Sequence, residues 1–117
     1  MASLALKTSS GEILGFLLLE EVGPLRNDQK GRCMFMGLPV PANLNKDPLL
    51  MLIHQFRQKP MAYAVAEASP GFTLAVSIPD GSTATLELNG DGQGTVVVKK
   101  DGSNSTITGH CELSKTA

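Results

Sequence analysis

This sequence has few aromatic residues and no large cluster of positive charge. Its 117 residues include one Tyr, four Phe and no Trp, and ten Lys and Arg stand against eleven Asp and Glu. Proteins that bind nucleic acid usually carry a basic stripe together with aromatic side chains on which bases stack. The basic residues here are scattered, with no cluster beyond Lys99 and Lys100. We therefore expect no nucleic-acid partner.

Long apolar runs are missing as well. The run ILGFLLL at 13–19 has seven residues and is closed by Glu20, whereas a helix needs about 20 apolar residues to cross a bilayer. The charges around this run do not follow the order of a secretory signal. We expect a soluble, cytoplasmic protein without a membrane span, in which Cys33 and Cys111 are buried thiols rather than a disulfide.

The composition is that of a chain with a packed core. Hydrophobic residues make up 42% of the sequence and charged residues 18%, with a formal net charge of −1. Such a chain is too apolar and too weakly charged for disorder. Its length fits a single globular domain over 1–117.

One helix is indicated over 47–59. Asp47 stands at the N-cap, Pro48 follows at the first helical position, and Pro60 ends the element. Four apolar residues recur at helical spacing and form a stripe that faces the core: Leu49, Leu52, Ile53 and Phe56. Leu50 and Met51 widen this apolar arc, so the helix is either buried more deeply or in contact with another chain.

Most of the remaining chain alternates between apolar and polar residues, which is typical of half-buried strands. Three turn signals interrupt the second half: PDGS at 79–82, NGDGQG at 89–94 and KDGSNS at 100–105. Turns spaced by about ten residues predict an antiparallel meander. Threonine recurs on the expected outer face of these strands, at positions Thr73, Thr83, Thr85, Thr95, Thr106 and Thr108.

The first third follows the same pattern less regularly. Leu4 and Leu6 alternate, RCMFMGL at 32–38 is a further strand, and the continuous run ILGFLLL implies cover on both of its faces. We therefore predict a mainly β fold, bordering on α+β, with about seven to eight short strands in an antiparallel meander. The sheet is curved or partly closed into a barrel, with the helix packed on or across it. An open sheet covered by its helix in a dimer would bury the same pattern.

Motifs for catalysis and metal binding are not found. The chain has neither a G-x-S-x-G nor an H-E-x-x-H sequence. His110 and Cys111 are adjacent, and neighbouring side chains on a strand point to opposite faces, so we predict no metal site and no cofactor. An EF-hand count that starts at Glu87 places Val98 at the twelfth position, where a Glu is required. We interpret NGDGQG as a hairpin turn.

Three functional hypotheses follow. The first is a non-enzymatic interaction module that self-associates, for example as a dimer, or docks on a protein partner. Its candidate contact residues form an apolar surface rich in Met and Leu: Met34, Met36, Leu50 and Met51.

The second hypothesis is a carrier or sensor of a small apolar ligand held between the sheet and the helix. Its candidate pocket residues are Tyr63, Glu67, His54 and Phe56. The third is an enzyme that pairs His54 or His110 with Glu67, which requires these groups to lie within hydrogen-bond reach.

Overall fold

Alternating inward and outward residues close the chain into a β-barrel. The computed structural model describes residues 2–20, 26–39, 42–44, 46–67, 71–100, 102 and 104–114. In this part of the chain each strand pairs in antiparallel fashion with the next, and the last pairs with the first. The strands are β1 (Ala2–Lys7), β2 (Ile13–Leu19), β3 (Lys30–Gly37), β4 (Met61–Glu67), β5 (Phe72–Ser77), β6 (Ser82–Leu88), β7 (Gln93–Lys100) and β8 (Thr106–Ser114). The predicted mainly β meander is confirmed, and the sheet closes.

The barrel closes through residues that are far apart in the sequence. Leu6 on β1 pairs with Cys111 on β8, and Leu4 pairs with Leu113. Apolar residues at every second position of the strands point inward and form one core with the helix. Closure pairs each described strand on both sides along most of its length, so few of its backbone N–H and C=O groups lie on a free edge. Beyond Cys33, where the β3–β4 pairing ends, the Phe35 carbonyl accepts from the Gln58 N–H instead.

The stretch NGDGQG forms the β6–β7 hairpin turn, as predicted. Gly92 N donates to the Asn89 carbonyl at 3.0 Å, and Asn89 N donates to the Gln93 carbonyl at 2.9 Å. Gly92 has a φ of 78°, a left-handed conformation that ends a three-residue hairpin loop at little cost only for glycine. The Asn89 Oδ1 atom accepts from the backbone N–H groups of Asp91 and Gln93 at 2.9 and 3.2 Å. The polar groups of Asn89 therefore hold the turn.

The predicted helix is present but shorter than expected. Helix α1 (Pro48–Gln55) starts at Asp47, whose Oδ1 accepts from the N–H groups of Leu49 and Leu50 at 2.9 and 3.3 Å. The prediction over 47–59 placed its end four residues too late. Gln58 adopts a φ of 62° and its N–H donates to the Phe35 carbonyl at 2.9 Å, so the chain leaves the helix to pair beside β3. A short 3₁₀ helix (Ala42–Leu44) precedes α1.

Helix α1 plugs one end of the barrel. It packs on β2, β3 and β8, and Leu49, which is 2% exposed, lines the barrel interior together with residues of six strands. Gly109 on β8 makes this insertion feasible, because a Cβ there would lie 2.7 Å from the Leu49 Cδ2 atom. Among the described helices, none has the length and apolar character needed to cross a lipid bilayer.

Tyr63 closes the opposite end. It is 2% exposed and pairs with Gly31 on β3, whose missing side chain leaves room for the tyrosine ring. The Tyr63 hydroxyl donates to the Glu20 carbonyl at 2.9 Å and accepts from the Gln29 side-chain amide at 3.4 Å. The only tyrosine of the chain therefore joins the barrel interior to the end of β2.

Candidate functional site

The barrel interior is filled by side chains. The void between α1 and the strands has a volume of about 10 Å³, and its lining residues are all apolar: Leu6, Leu17, Phe35, Leu49, Val76, Ala84, Leu86, Val96 and Val98. Sites for small ligands usually measure about 300–1,000 Å³. This void is smaller by more than an order of magnitude, so it offers no support for a ligand held between the sheet and the helix.

The residues predicted to line a ligand pocket do not share one place. Tyr63 and Phe56 are buried in the core, whereas His54 is exposed and lies against Gly37. Tyr63 lies against Gly31, six residues earlier on β3, a separation of about 20 Å along a strand. A bulge between Val65 and Glu67 shifts the β4–β5 register there, and the side chain of Glu67 lies outside the described part of the structure.

The outer face of β2 and β3 carries large apolar side chains. Phe16 pairs directly with Met36, and Leu18 pairs directly with Met34. Their neighbours Leu17, Leu19, Cys33 and Phe35 point into the barrel and are at most 3% exposed, so these four residues point outward. Each of the four is half-buried. We call this surface, formed by Phe16, Leu18, Met34 and Met36, the β2–β3 apolar face.

A groove extends the β2–β3 apolar face toward β4. It has a volume of about 270 Å³ and is lined by Leu18, Glu20, Arg32, Cys33, Met34 and Pro60. The β3–β4 pairing ends at Cys33 and Met61, because Pro60, which precedes β4, has no N–H group with which to continue the ladder. The two strands separate beyond this point. The groove therefore combines an apolar floor with two charges of opposite sign.

Two of the predicted contact residues, Met34 and Met36, belong to this face, and the other two lie on α1. Leu50 is 2% exposed and forms part of the core, so it contributes nothing to a surface. Met51 is 58% exposed and points away from the barrel. Phe16 and Leu18 were not among the predicted contact residues, although the continuous apolar run that contains them indicates cover on both faces of β2.

The opposite side of the barrel has a polar outer face. Thr83, Thr95, Thr106 and Thr108 are exposed there, as the alternation predicts. Val97 is an outward, half-buried residue among them, because its neighbours Val96 and Val98 are buried. Large apolar side chains are therefore concentrated on one side of the outer surface.

A second, polar groove of about 370 Å³ lies on β1, β7 and β8. The Lys7 ammonium lies 2.5 Å from a carboxylate oxygen of Glu112, and this hydrogen bond and charge lower the pKa of Glu112. His110 and Gln93 also line the groove. Lys7 and Glu112 are 105 residues apart, so only the β1–β8 pairing brings them together. Because the ammonium and the carboxylate neutralise each other, the groove presents no net charge from this pair.

The two cysteines are unpaired and buried. Burial raises the pKa of both Cys33 and Cys111 to about 12, so both remain protonated thiols at neutral pH. A thiol in this state is a poor nucleophile and a poor metal ligand. Among the described residues, no three His, Cys, Asp or Glu side chains lie close enough together to hold a metal ion.

Comparison of the chain with protein-family models, with curated proteins and with solved structures finds no match. The geometry of the barrel and of its outer surface is therefore the basis for the proposals that follow.

Proposed function

We propose that this protein is a non-enzymatic interaction module that self-associates through the β2–β3 apolar face. The observation that carries the proposal is the pair of directly opposed apolar contacts, Phe16 with Met36 and Leu18 with Met34, on the outside of a barrel. Adaptable methionine side chains are frequent on contact surfaces. An apolar outer face on a barrel with a filled interior is most simply accounted for by a second protein surface.

The size of the face indicates a weak contact. Full burial of a Leu, Phe or Met side chain is worth ~1.5–3 kcal/mol. About a third or less of each of the four side chains is still exposed, so eight such side chains in a dimer would gain at most ~4–8 kcal/mol before the cost of association. That cost is of similar size. We therefore expect a reversible dimer with a dissociation constant in the high micromolar range rather than a permanent complex.

A cytoplasmic setting is part of the proposal. Both cysteines are free, and disulfides are rare in compartments that keep thiols reduced. Recovery of the native protein in a secreted fraction would contradict this setting.

The self-association can be tested by sedimentation velocity over a concentration series from about 10 µM to 1 mM, the range in which a weak dimer dissociates. The test variant is Leu18→Lys, and its matched control is Val97→Lys. Both positions are outward and half-buried on strands that are paired on both sides, and both substitutions add the same charge.

We expect the sedimentation coefficients of the wild type and of Val97→Lys to rise with concentration, whereas Leu18→Lys remains monomeric. A wild-type protein that stays monomeric at 1 mM would overturn the proposal. So would a Leu18→Lys variant that associates as strongly as Val97→Lys, provided that both keep the wild-type circular dichroism spectrum.

A further inference from the structure

We infer that the partner on the β2–β3 apolar face is a second copy related by a two-fold axis. This axis lies in the interface between the two faces and runs parallel to the strands, above the line midway between β2 and β3. This inference rests on the proposed function and adds to it the arrangement of the two copies. The observation behind it concerns the rows of outward residues, each of which has one residue on β2 and one on β3. When a half-turn places β2 of one copy over β3 of the other, each residue of a row faces a complementary residue of the same row.

The register of the two strands defines these rows. Phe16 pairs with Met36 and Leu18 pairs with Met34. Glu20 N donates to the Arg32 carbonyl at 2.9 Å, which continues the same register by one further row. Outward residues of successive rows are separated by about 7 Å along the strands.

A half-turn about the proposed axis places β2 of one copy over β3 of the other. Each row then faces its own counterpart, so Leu18 meets Met34 of the second copy and Phe16 meets Met36. The strand axes of the two faces are aligned, and each strand lies over one that runs in the opposite direction, because β2 and β3 are antiparallel. In aligned sheet packing, side chains of two faces fill a layer about 10 Å thick. An interface of this kind is isologous, because the contact between two residues occurs twice.

The charged row gives this arrangement its specificity. Glu20 and Arg32 are both exposed, and within the described residues neither side chain makes an ion pair. The half-turn places Glu20 over Arg32 of the second copy and Arg32 over the second Glu20. Two ion pairs of opposite polarity would therefore form at one end of the apolar contact.

The alternative two-fold axis, perpendicular to the strands, has no such complementarity. It would place the Glu20 and Arg32 row over the opposite end of the face, where Ile13 is 43% exposed. Charges that lose water without gaining a partner are strongly unfavourable. The charged row therefore favours the axis parallel to the strands.

A charge exchange tests the arrangement. Glu20→Arg gives a copy with two positive side chains in this row, and Arg32→Glu gives a copy with two negative ones. We expect each variant alone to associate roughly tenfold more weakly than the wild type, because both cross-copy pairs change from attraction to repulsion. An equimolar mixture of the two should restore association as a heterodimer. The double variant Glu20→Arg/Arg32→Glu should restore the homodimer.

The measurements are sedimentation equilibrium at low and at high salt, with thermal unfolding as a control for folding. About 1 M salt should largely remove the differences between the variants, because it shortens the screening length to about 3 Å. If the wild type and the charge variants all associate equally at low salt while Leu18→Lys does not, the two-fold arrangement is wrong and the apolar contact stands. If neither the mixture nor the double variant recovers association, the arrangement is also wrong. A wild type that remains monomeric overturns both proposals.

Discussion

Replacement of Leu49 by alanine tests how far the barrel depends on its helical plug. Leu49 is 2% exposed and its side chain lines a void of only about 10 Å³ inside the barrel. The substitution removes three carbon atoms, which corresponds to ~2.4 kcal/mol of lost burial at about 0.8 kcal/mol each. A residual cavity raises the cost of buried Leu→Ala changes to ~2.7–5 kcal/mol. We expect the free energy of unfolding to fall by about 3–4 kcal/mol.

Helix propensity alone would give no loss, because alanine favours a helix at least as well as leucine does. Helix α1 has eight residues, fewer than the ~12–15 that an isolated helix needs for marginal stability in water, so it depends on its contacts with the barrel. The assay is urea unfolding followed by circular dichroism. Met51→Ala is the matched control on the same helix, because Met51 is 58% exposed, and it should change stability by less than about 0.5 kcal/mol. A Leu49→Ala loss below about 1 kcal/mol would refute the assignment of α1 as a plug.

Three further predictions concern the packing, the thiols and the turn. Gly109→Ala should destabilise the protein by about 1–3 kcal/mol, because the new Cβ would lie 2.7 Å from the Leu49 Cδ2 atom and 2.9 Å from the Lys7 carbonyl oxygen. In a double-mutant cycle with Leu49→Ala the two losses should be less than additive, since Leu49→Ala relieves the first of these clashes. The folded-state pKa of both cysteines is raised from 9.0 to about 12, so their contribution to stability is complete below pH 9 and is lost as the pH rises toward 12; urea unfolding at several pH values should show a smaller alkaline loss when both are replaced by alanine. Asn89→Ala should cost about 1 kcal/mol in urea unfolding, since it removes the acceptor of two backbone hydrogen bonds, whereas Asp91→Ala should be close to neutral.

The alternation of residues was sufficient to predict the strands and the turns, because both are local properties of the chain. Closure of the sheet was not predictable, since it depends on the pairing of β1 with β8, as in Leu6 with Cys111. No local signal distinguishes a curved meander from a closed one. The end of α1 was misplaced for a similar reason, because the Phe35 carbonyl that binds the Gln58 N–H comes from another element.

The candidate surface was predictable only in part. Met34 and Met36 follow from the sequence because adaptable apolar side chains in excess of what a core needs often mark contact surfaces. Leu50 belongs to the same predicted set as Met34 and Met36 because the apolar stripe of α1 is wider than a helix needs when it covers only one side of a sheet. A helix inserted into the mouth of a barrel meets walls on several sides, so Leu50 is buried as well. Phe16 and Leu18 are predictable from the continuous apolar run in β2, which implies that both faces of this strand are covered. No other described element covers its outer face.

The architecture of the barrel limits where a function can lie. Eight strands enclose a space that is just wide enough for side chains, and here α1 and Tyr63 occupy its two ends. Because the sheet is closed, another chain cannot add a strand to a free edge, which is the common route by which sheets associate through their backbones. The association that we propose therefore uses side chains on the outer surface of the described strands. A contact made by side chains can be abolished by one substitution without loss of the fold. A contact made by backbone pairing would tolerate most single substitutions. The contrast between Leu18→Lys and Val97→Lys separates these two modes of association.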